Sequence, residues 1–506
     1  MGLLLAIDIG TTNLKVAAFT IEGACVGIEK KPTIAHYDVH GNSIYKPTEI
    51  WKDIASLLRI ITSNVNQEIL AISASSMSEA IVPLDCYGQE CFDIITWFDT
   101  RAQKEAKEIV EVVGKEKLFE ITGLDPNPIF PLCKILWMKR HHPDVFQQTC
   151  KWLQMTDYIL YKLSGVMATD YSLASRTMAF DVCKNEWSDQ LLELFEIDRK
   201  LFPEIVQSGS VMGTVTKEAA DITGLSVGTS LVMGGNDHPC ASLPAGVLNG
   251  NKILDSSGTA EAFIYVSPPQ KPPLMKFMGQ RTCRYLDKDR YALWGGIISS
   301  GASFEWAYKL LTNVETWGIY QGNPTYAEIL SQVQNIPPGS NGVLFIPHLR
   351  GSGAPYWDPN MTGCFLGLKT THTQQDLLRA VMEGLAFQAR MIVNMHEQLA
   401  GSPADALCVV GGSGKNFLWQ QIKADVLQKP IEICDETEAT LLGAAILAGV
   451  GVGIFKDMTT ASIELSKGNQ KILPNSSNNE IYQPLYEIYC DAYKATEDLS
   501  HRLQKI

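Results

Sequence analysis

Short apolar runs separated by polar, glycine-bearing turns set the rhythm of this chain. At its start, "LLLAIDIGTTNLKVAAFTIEGACVG" puts two apolar runs either side of a polar glycine turn. That pattern predicts a β-hairpin, and "EG" supplies the turn that follows. The arrangement returns as "ILDSSGTAEAFIYV": an apolar run, an Asp, a Gly-Thr turn and a second apolar run. Two such turns roughly half a chain apart point to a duplicated domain. Between them "EILAISASS" and "SLVM" read as buried strands. "ILWMKRHHPDVF" and "DYILYKLSG" read as helices, the second closed by Gly165, and "SDQLLELF" as a helix with Ser188 as N-cap. In the second half, "NGVLFIPHL" and "ALCVVGG" read as strands. "TQQDLLRAVMEGLAFQARMIVNMHEQL" reads as a long amphipathic helix, followed by helices over "NFLWQQIKADVLQ" and from Tyr482 onward. The mixture predicts an α/β fold. The turn-rich "PAGVLNGNK" divides it into residues 1–248 and 249–506, with looser loops at "SPPQKPP" and "PNSSNNE".

Length supports that division, because 506 residues exceed what one core organises. Hydrophobic residues at 45% and charged residues at 19% belong to an ordinary globular chain. A formal charge of -13 argues against nucleic acid as a partner, since phosphate backbones attract Lys and Arg. It leaves room for a small anionic ligand, which glycine-loop N–H groups can hold. The twelve cysteines include no CxxC pair, and "CYGQEC" lacks partners at zinc spacing, so reduced thiols in a cytoplasmic protein are expected. "MGLLLAIDIG" has no basic start and carries Asp8 within its apolar run, so it reads as a strand and not a signal peptide. "ATLLGAAILAGVGVGIF" is short and rich in Gly and Ala, which predicts a buried helix and no membrane span.

Three turns could carry chemistry. In "DIGTTNLK", Gly10 allows a sharp turn, Thr11, Thr12 and Asn13 offer polar donors, and Asp8 could hold Mg²⁺ through water. "DSSGTAEA" repeats that donor-rich composition at Gly258 and Thr259, so the pair could grip a triphosphate from two sides; an ordinary hairpin with Asp255 as a turn cap is the other reading. "VVGGSGKN" joins a strand to a helix through a glycine loop. It lacks the P-loop and GxGxxG spacings but still offers a seat for a nucleoside or phosphate. No Ser-His-Asp set, HExxH or metal-ligand cluster is visible.

Eight stretches occur in one order: "AIDIGTTNLKVAAF", "ITWFDTRA", "PLCKILWMKRHHP", "TDYSLASRTMAFD", "GGNDHPCA", "SSGTAEA", "GAPYWDPNMTGCFLGL" and "VVGGSGKN". Together they resemble the FGGY family of carbohydrate kinases, over about residues 4 to 455. The resemblance implies two actin-like, ribonuclease-H-like α/β domains flanking a deep cleft, with sugar mainly on the first and ATP mainly on the second. It implies Asp237 as the general base, Asp8 as organiser of Mg²⁺, and Gly10, Thr11, Thr12 and Asn13 as the first phosphate turn. Gly258 and Thr259 match the second phosphate turn, and Gly411, Gly412, Ser413 and Asn416 the adenosine site. Gly301, in "SSGASFEW", falls in the stretch that lines the nucleotide from the other side. Trp357, in "PYWDPNMTG", reads as core in a structural loop.

By the same resemblance Ser78, Glu79, Trp97, Asp99 and His238 face the sugar. Glu79 as a solvated charge, Trp97 as a core aromatic, Asp99 with Arg101 as a structural ion pair and Asp237 as a helix cap are the other readings. Glycerol kinases show Arg at the position of Ser78 and Tyr at that of Ile129, and xylulose kinases show Met-His at 78–79. The resemblance thus implies ATP-dependent phosphorylation of a ketose such as a pentulose, with gluconate or a polyol as the alternative. A non-catalytic nucleotide switch on the same fold is the more distant one. A homodimer is the expected assembly, with no membrane or nucleic-acid partner.

Overall fold

The first glycine hairpin joins strand β1 (Leu3–Ile9) to β2 (Asn13–Thr20), with Asp8 directly opposite Lys15. Every residue of β1 is buried, as expected of an apolar run at the centre of a sheet. β3 (Cys25–Pro32) pairs antiparallel with β2, β4 (Ile69–Ser76) parallel with β1, and β6 (Ser230–Asn236) parallel with β4. β5 (Val211–Thr214) closes the far edge antiparallel to β6, giving the order β5-β6-β4-β1-β2-β3.

The second hairpin starts an equivalent sheet. β7 (Lys252–Ser257) and β8 (Glu261–Val266) are its antiparallel arms, and β9 (Arg281–Arg284) and β10 (Tyr291–Ile297) extend it beyond β8. β11 (Ala406–Val410) runs parallel to β7 and β12 (Ile431–Ile433) parallel to β11, with β13 (Gln470–Ile472) antiparallel at the edge. Both sheets therefore share a hairpin, two parallel strands beside its first arm and an antiparallel edge strand beyond them; β3 extends the first sheet, and β9 and β10 the second, on the other side. This is the duplication that the two similar turns announce.

The computed structural model describes residues 2–271, 273–312, 324–466 and 469–506. Met1 of the first strand's sequence and Pro272 of the "SPPQKPP" loop lie outside the described residues. Helix α1 (Pro131–His141) begins with Pro at its first turn, where a missing N–H costs nothing. It ends at His142, so "ILWMKRHHPDVF" is two helices; Pro143 starts the second, Pro143–Gln148. Helix α2 (Met155–Ser164) ends on Gly165 at φ 76°, and Ser188 caps the helix Asp189–Leu194, both as the sequence predicts. α3 (Asp237–Ser242) follows β6 directly, and α4 (Gly301–Thr312) follows β10. α5 (Gln374–Ala400) is the long amphipathic helix and α6 (Phe417–Leu427) the helix after the third glycine loop. The Ala- and Gly-rich α7 (Ala439–Gly451) is buried against β1, β4 and β6, so the second half of the chain lends a helix to the first sheet. No described helix is long and apolar enough to cross a membrane. α8 (Asn479–Leu503) ends the fold.

One expectation is corrected. Cys86 and Cys150 form a disulfide, with Cα atoms 5.2 Å apart. The strand Ile81–Leu84 pairs antiparallel with Lys151–Gln154, and the Cys150 N–H donates to the Leu84 carbonyl. That ladder brings together two cysteines 64 residues apart, which no local spacing reveals. Of the others, Cys133, Cys240, Cys283 and Cys408 are buried free thiols, and Cys25 and Cys183 are exposed.

Candidate active site

β6 runs through Gly234 and Gly235 to Asn236, and Asp237 opens α3 at once. Asn236 is the cap: its Oδ1 accepts from the His238 N–H at 3.1 Å. Asp237 sits one residue inside the helix and is not the N-cap; its Oδ1 accepts from the same N–H at 2.8 Å. The two glycines serve packing. A Cβ on Gly234 would lie 1.6 Å from the Ala74 carbonyl oxygen, and one on Gly235 2.5 Å from Leu286 Cδ2 and 2.9 Å from Ser172 Oγ.

Asp237 borders a chamber of about 180 Å³, a size for one small polar ligand. Thr11, Ser78, Glu79, Trp97 and His238 line the same chamber. Trp97 Nε1 donates to Thr11 Oγ1 at 2.9 Å, so the first glycine turn and the Trp97 wall of the chamber are physically tied. Glu79 is buried and not a solvated charge. It has φ 65°, a conformation an L residue adopts only when its surroundings impose it. Ser78 Oγ donates to its Oε2 at 2.7 Å, and Arg176 Nε to its Oε1 at 2.6 Å.

Arg176, Arg281, Trp294 and Asn236 also line the chamber, and the sequence assigns none of them a role. Arg281 and Trp294 are direct partners across β9 and β10, so the second half of the chain builds one wall of this chamber. Each guanidinium is consumed by a carboxylate: Arg176 by Glu79, and Arg281 by Asp125 at 2.5 Å. Each also lies over aromatic rings. Arg176 is 4.7 Å from Trp294, and Arg281 is 4.0 Å from Trp357 and 5.0 Å from Phe130. Trp357 is therefore a support for this wall as well as a packed residue. Asp99 goes the other way. It accepts from Arg101 Nε at 2.8 Å and from the Ser43 N–H at 2.7 Å and does not line the chamber, so its structural ion pair replaces the expected sugar contact.

Burial raises the Asp237 carboxyl above the ordinary carboxylate range. Glu79 adds to the rise, and His238 and Arg176 oppose it. The Asp237 side chain keeps 26% of its surface exposed, so it remains reachable from the chamber. Asp8, 7% exposed, receives a 3.3 Å contact from Ser75 Oγ. Burial pushes it up to about 7 against the pull of Lys15, with Asp237 and Glu438 adding to the rise. Lys15 itself is paired to Glu438 at 2.5 Å. Asp8, with the Asp237 carboxylate near enough to raise it, offers the oxygen donors that a hard divalent cation such as Mg²⁺ takes.

The second glycine turn, Gly301 and the third glycine loop come together through backbone. Gly301 N–H donates to the Gly258 carbonyl at 3.1 Å, and Ser300 and Ala302 N–H groups to the Thr259 carbonyl at 3.0 and 3.2 Å. A Cβ on Gly301 would meet that Gly258 oxygen at 2.4 Å. Gly411, at φ 98°, would bring one 2.4 Å from the Ser257 oxygen. Gly258, Thr259, Gly301 and Gly411 thus form one surface, with Gly412 open beside it. Ser413 and Asn416 are buried underneath: the Ser413 carbonyl accepts from Gln420 Nε2, and Asn416 Oδ1 caps α6 through the Trp419 N–H. On the first hairpin, the Gly10 N–H closes the turn on the Asn13 carbonyl at 3.0 Å, and Thr12 is exposed at the tip.

Beneath the second turn, Lys423 of α6 donates to Asp255 Oδ2 and Glu261 Oε1, each at 2.5 Å, and Ser300 Oγ donates to Glu261 Oε2. All of these side chains are buried. Burial and Glu261 raise Asp255 well above the carboxylate range, whereas Lys423 holds Glu261 below it.

Known proteins resemble this chain along its whole length. The N-terminal domain of the FGGY family of carbohydrate kinases matches residues 3–243 and its C-terminal domain residues 254–452. A xylulose kinase of Bacillus subtilis is 28% identical, with 100% of this chain and 99% of that protein covered. The crystal structure of a ligand-bound xylulose kinase from Lactobacillus acidophilus superposes with a TM-score of 0.91 at 25% identity, over 98% of this chain and 99% of that one. A gluconate kinase from the same organism gives 0.88 at 25% identity, over 98% of each chain. The chain belongs to the FGGY family of carbohydrate kinases and is an ATP-dependent sugar kinase.

Proposed function

We propose that the substrate is a neutral ketose, a pentulose of the xylulose type, and that Asp237 takes the proton from the hydroxyl that attacks the γ-phosphoryl of ATP. The observation that carries the substrate class is the pairing of both chamber guanidinia with carboxylates. Such a wall supplies hydrogen bonds to hydroxyls but no uncommitted cation for an acid. Xylulose kinases among the relatives support the same reading. A gluconate-type acid is the second reading, favoured by the presence of two arginines in the chamber and by the similar gluconate kinase.

In this reading the sugar lies between Trp97 and Trp294, with Glu79 and His238 bonding its hydroxyls. The γ-phosphate meets Thr11 from one side and Gly258 and Thr259 from the other, while Gly301, Gly411 and Gly412 flank the nucleotide. Asp8 would hold Mg²⁺, which when bound would supply charge neutralisation to the transferring phosphates. Asp237 removes the hydroxyl proton as the oxygen attacks in line, so no phospho-enzyme forms. Its raised carboxyl brings the base closer to working pH, which favours proton transfer. The need for ATP supports a cytoplasmic setting, and the Cys86–Cys150 link weighs against it.

The test is coupled ADP release with D-xylulose, other pentuloses, polyols and D-gluconate. A ketose is expected to give the highest kcat/KM; D-gluconate in first place would replace the neutral-sugar reading with the acid one. Asp237→Asn should lower sugar-dependent kcat by roughly 10²- to 10⁴-fold and leave ATP affinity unchanged. Retained turnover in that variant removes Asp237 from the role of base.

A further inference from the structure

Lys134, on the first turn of α1, is 1% exposed. A lysine buried to that degree normally meets a carboxylate. This one meets three backbone carbonyls: Nζ donates to Glu79 at 2.6 Å, Thr96 at 2.8 Å and Ile95 at 3.4 Å. An ammonium has three N–H donors, so the set is complete. The three carbonyls belong to the two segments that carry the chamber's sugar-facing side chains. One holds Ser78 and Glu79, the other leads into Trp97. Glu79 is the strained residue of the wall, and its backbone conformation persists only if several contacts hold it. Arg176 and Ser78 hold its carboxylate; Lys134 holds its carbonyl.

We propose that Lys134 is a positioning residue of the sugar site: one buried ammonium sets the spacing between the Glu79 segment and the Trp97 segment and so fixes the chamber in its binding shape. This rests on the sugar-kinase reading of the same chamber and adds a determinant that touches no substrate. The clamp needs the charged form, because a neutral amine has two N–H donors for three carbonyls and turns a lone pair on the third. Burial pushes this lysine down to about 7, the Glu79 and Asp99 carboxylates and the neighbouring Cys133 thiol pulling upward and Arg101 downward. As pH rises through that value the third carbonyl loses its donor, so sugar binding should weaken on the alkaline side of neutrality.

The experiment compares the wild-type enzyme with Lys134→Gln and Lys134→Met, using D-xylulose as probe. In Lys134→Gln, KM for D-xylulose should rise roughly tenfold while KM for ATP stays within about twofold, as expected when charge-assisted bonds are lost at one subsite only. The wild-type KM for D-xylulose should climb from pH 6.5 to 8.5 with KM for ATP flat, and the variant should lose that slope. An equal rise in both KM values, or a wild-type sugar KM independent of pH, overturns the proposal. Amide hydrogen exchange without sugar gives a readout that does not need turnover: segments 77–80 and 95–98 should exchange faster in both variants than in wild type. If wild type does not phosphorylate D-xylulose, the pentulose reading fails, and the clamp is then judged by exchange alone. Unchanged exchange in those segments ends it. The wild-type arms stand even if neither variant folds.

Discussion

The two glycine hairpins are alike in sequence and opposite in electrostatics. In both, an Asp near the end of the first arm precedes a Gly-Thr turn. Asp8 has no direct cationic partner among the described residues: Lys15, across the ladder, is committed to Glu438. Asp255 is locked against Lys423 and shares a buried site with Glu261. The first acid therefore remains available to a ligand, whereas the second is part of the scaffold. Position in a turn says where a phosphate can be gripped; the partner of the nearby acid says whether a cation can join it.

The largest effect expected from this contrast is on stability. Lys423→Met leaves two buried carboxyls without their cation, and breaking a buried pair in this way costs roughly 3–5 kcal/mol. Urea unfolding of the variant should show a lower midpoint with an unchanged slope, and nucleotide binding should weaken because Ser300 and the Gly258 turn hang on Glu261. A midpoint within experimental error of wild type would mean that the second hairpin is not held from below.

A second expectation sets the two acids against each other. Asp8→Asn should reduce kcat by about 10²-fold at limiting Mg²⁺, a loss of roughly 2.7 kcal/mol of transition-state stabilisation, with the fold intact. Asp255→Asn should change kcat only a few-fold, because an acid held well above the carboxylate range is replaced by a neutral group of the same shape. Equal losses in steady-state assays would make the hairpins functional equivalents and end the comparison.

The hairpins, the parallel strands and most helices were legible because their signals are local: alternation, apolar runs and caps such as Ser188 and Gly165 lie within a few residues of what they specify. Asp237, Glu79, Trp97 and His238, named from separate motifs, line one chamber. What escaped depends on distance along the chain. Arg176 reaches Glu79 across 97 residues, and Arg281 reaches Asp125 across 156. Nothing in "ASRTM" or "QRTCR" announces those partners. Asp99 could be read as sugar ligand or ion pair, and only the position of Arg101 over its carboxylate decides for the pair. Gly234 and Gly235 signal close approach, but whether the neighbour is a ligand or the Ala74 carbonyl is a tertiary fact. The Cys86–Cys150 link is of the same kind.

The smallest effect tests the first hairpin's charge balance by its sign. Lys15 lowers the proton affinity of Asp8, and Glu438 raises it. An ionised Asp8 is the form that assists Mg²⁺, so activity at limiting Mg²⁺ should fall as pH drops through the Asp8 value of about 7. Lys15→Met removes the cation that lowers the Asp8 carboxyl, so the acid limb of kcat/KM should move to higher pH. Glu438→Gln removes a repelling carboxylate, so the limb should move to lower pH. The pair itself is partly exposed, and at optimal pH either change should cost only about 0–1 kcal/mol. Opposite shifts from two residues bonded to each other cannot arise from loss of their shared ion pair, which both variants suffer equally. They require that each side chain acts separately on a third group, and Asp8 is the acid both of them reach. Shifts of the same sign would instead place the titration elsewhere, with Asp237 the next candidate because burial raises it too.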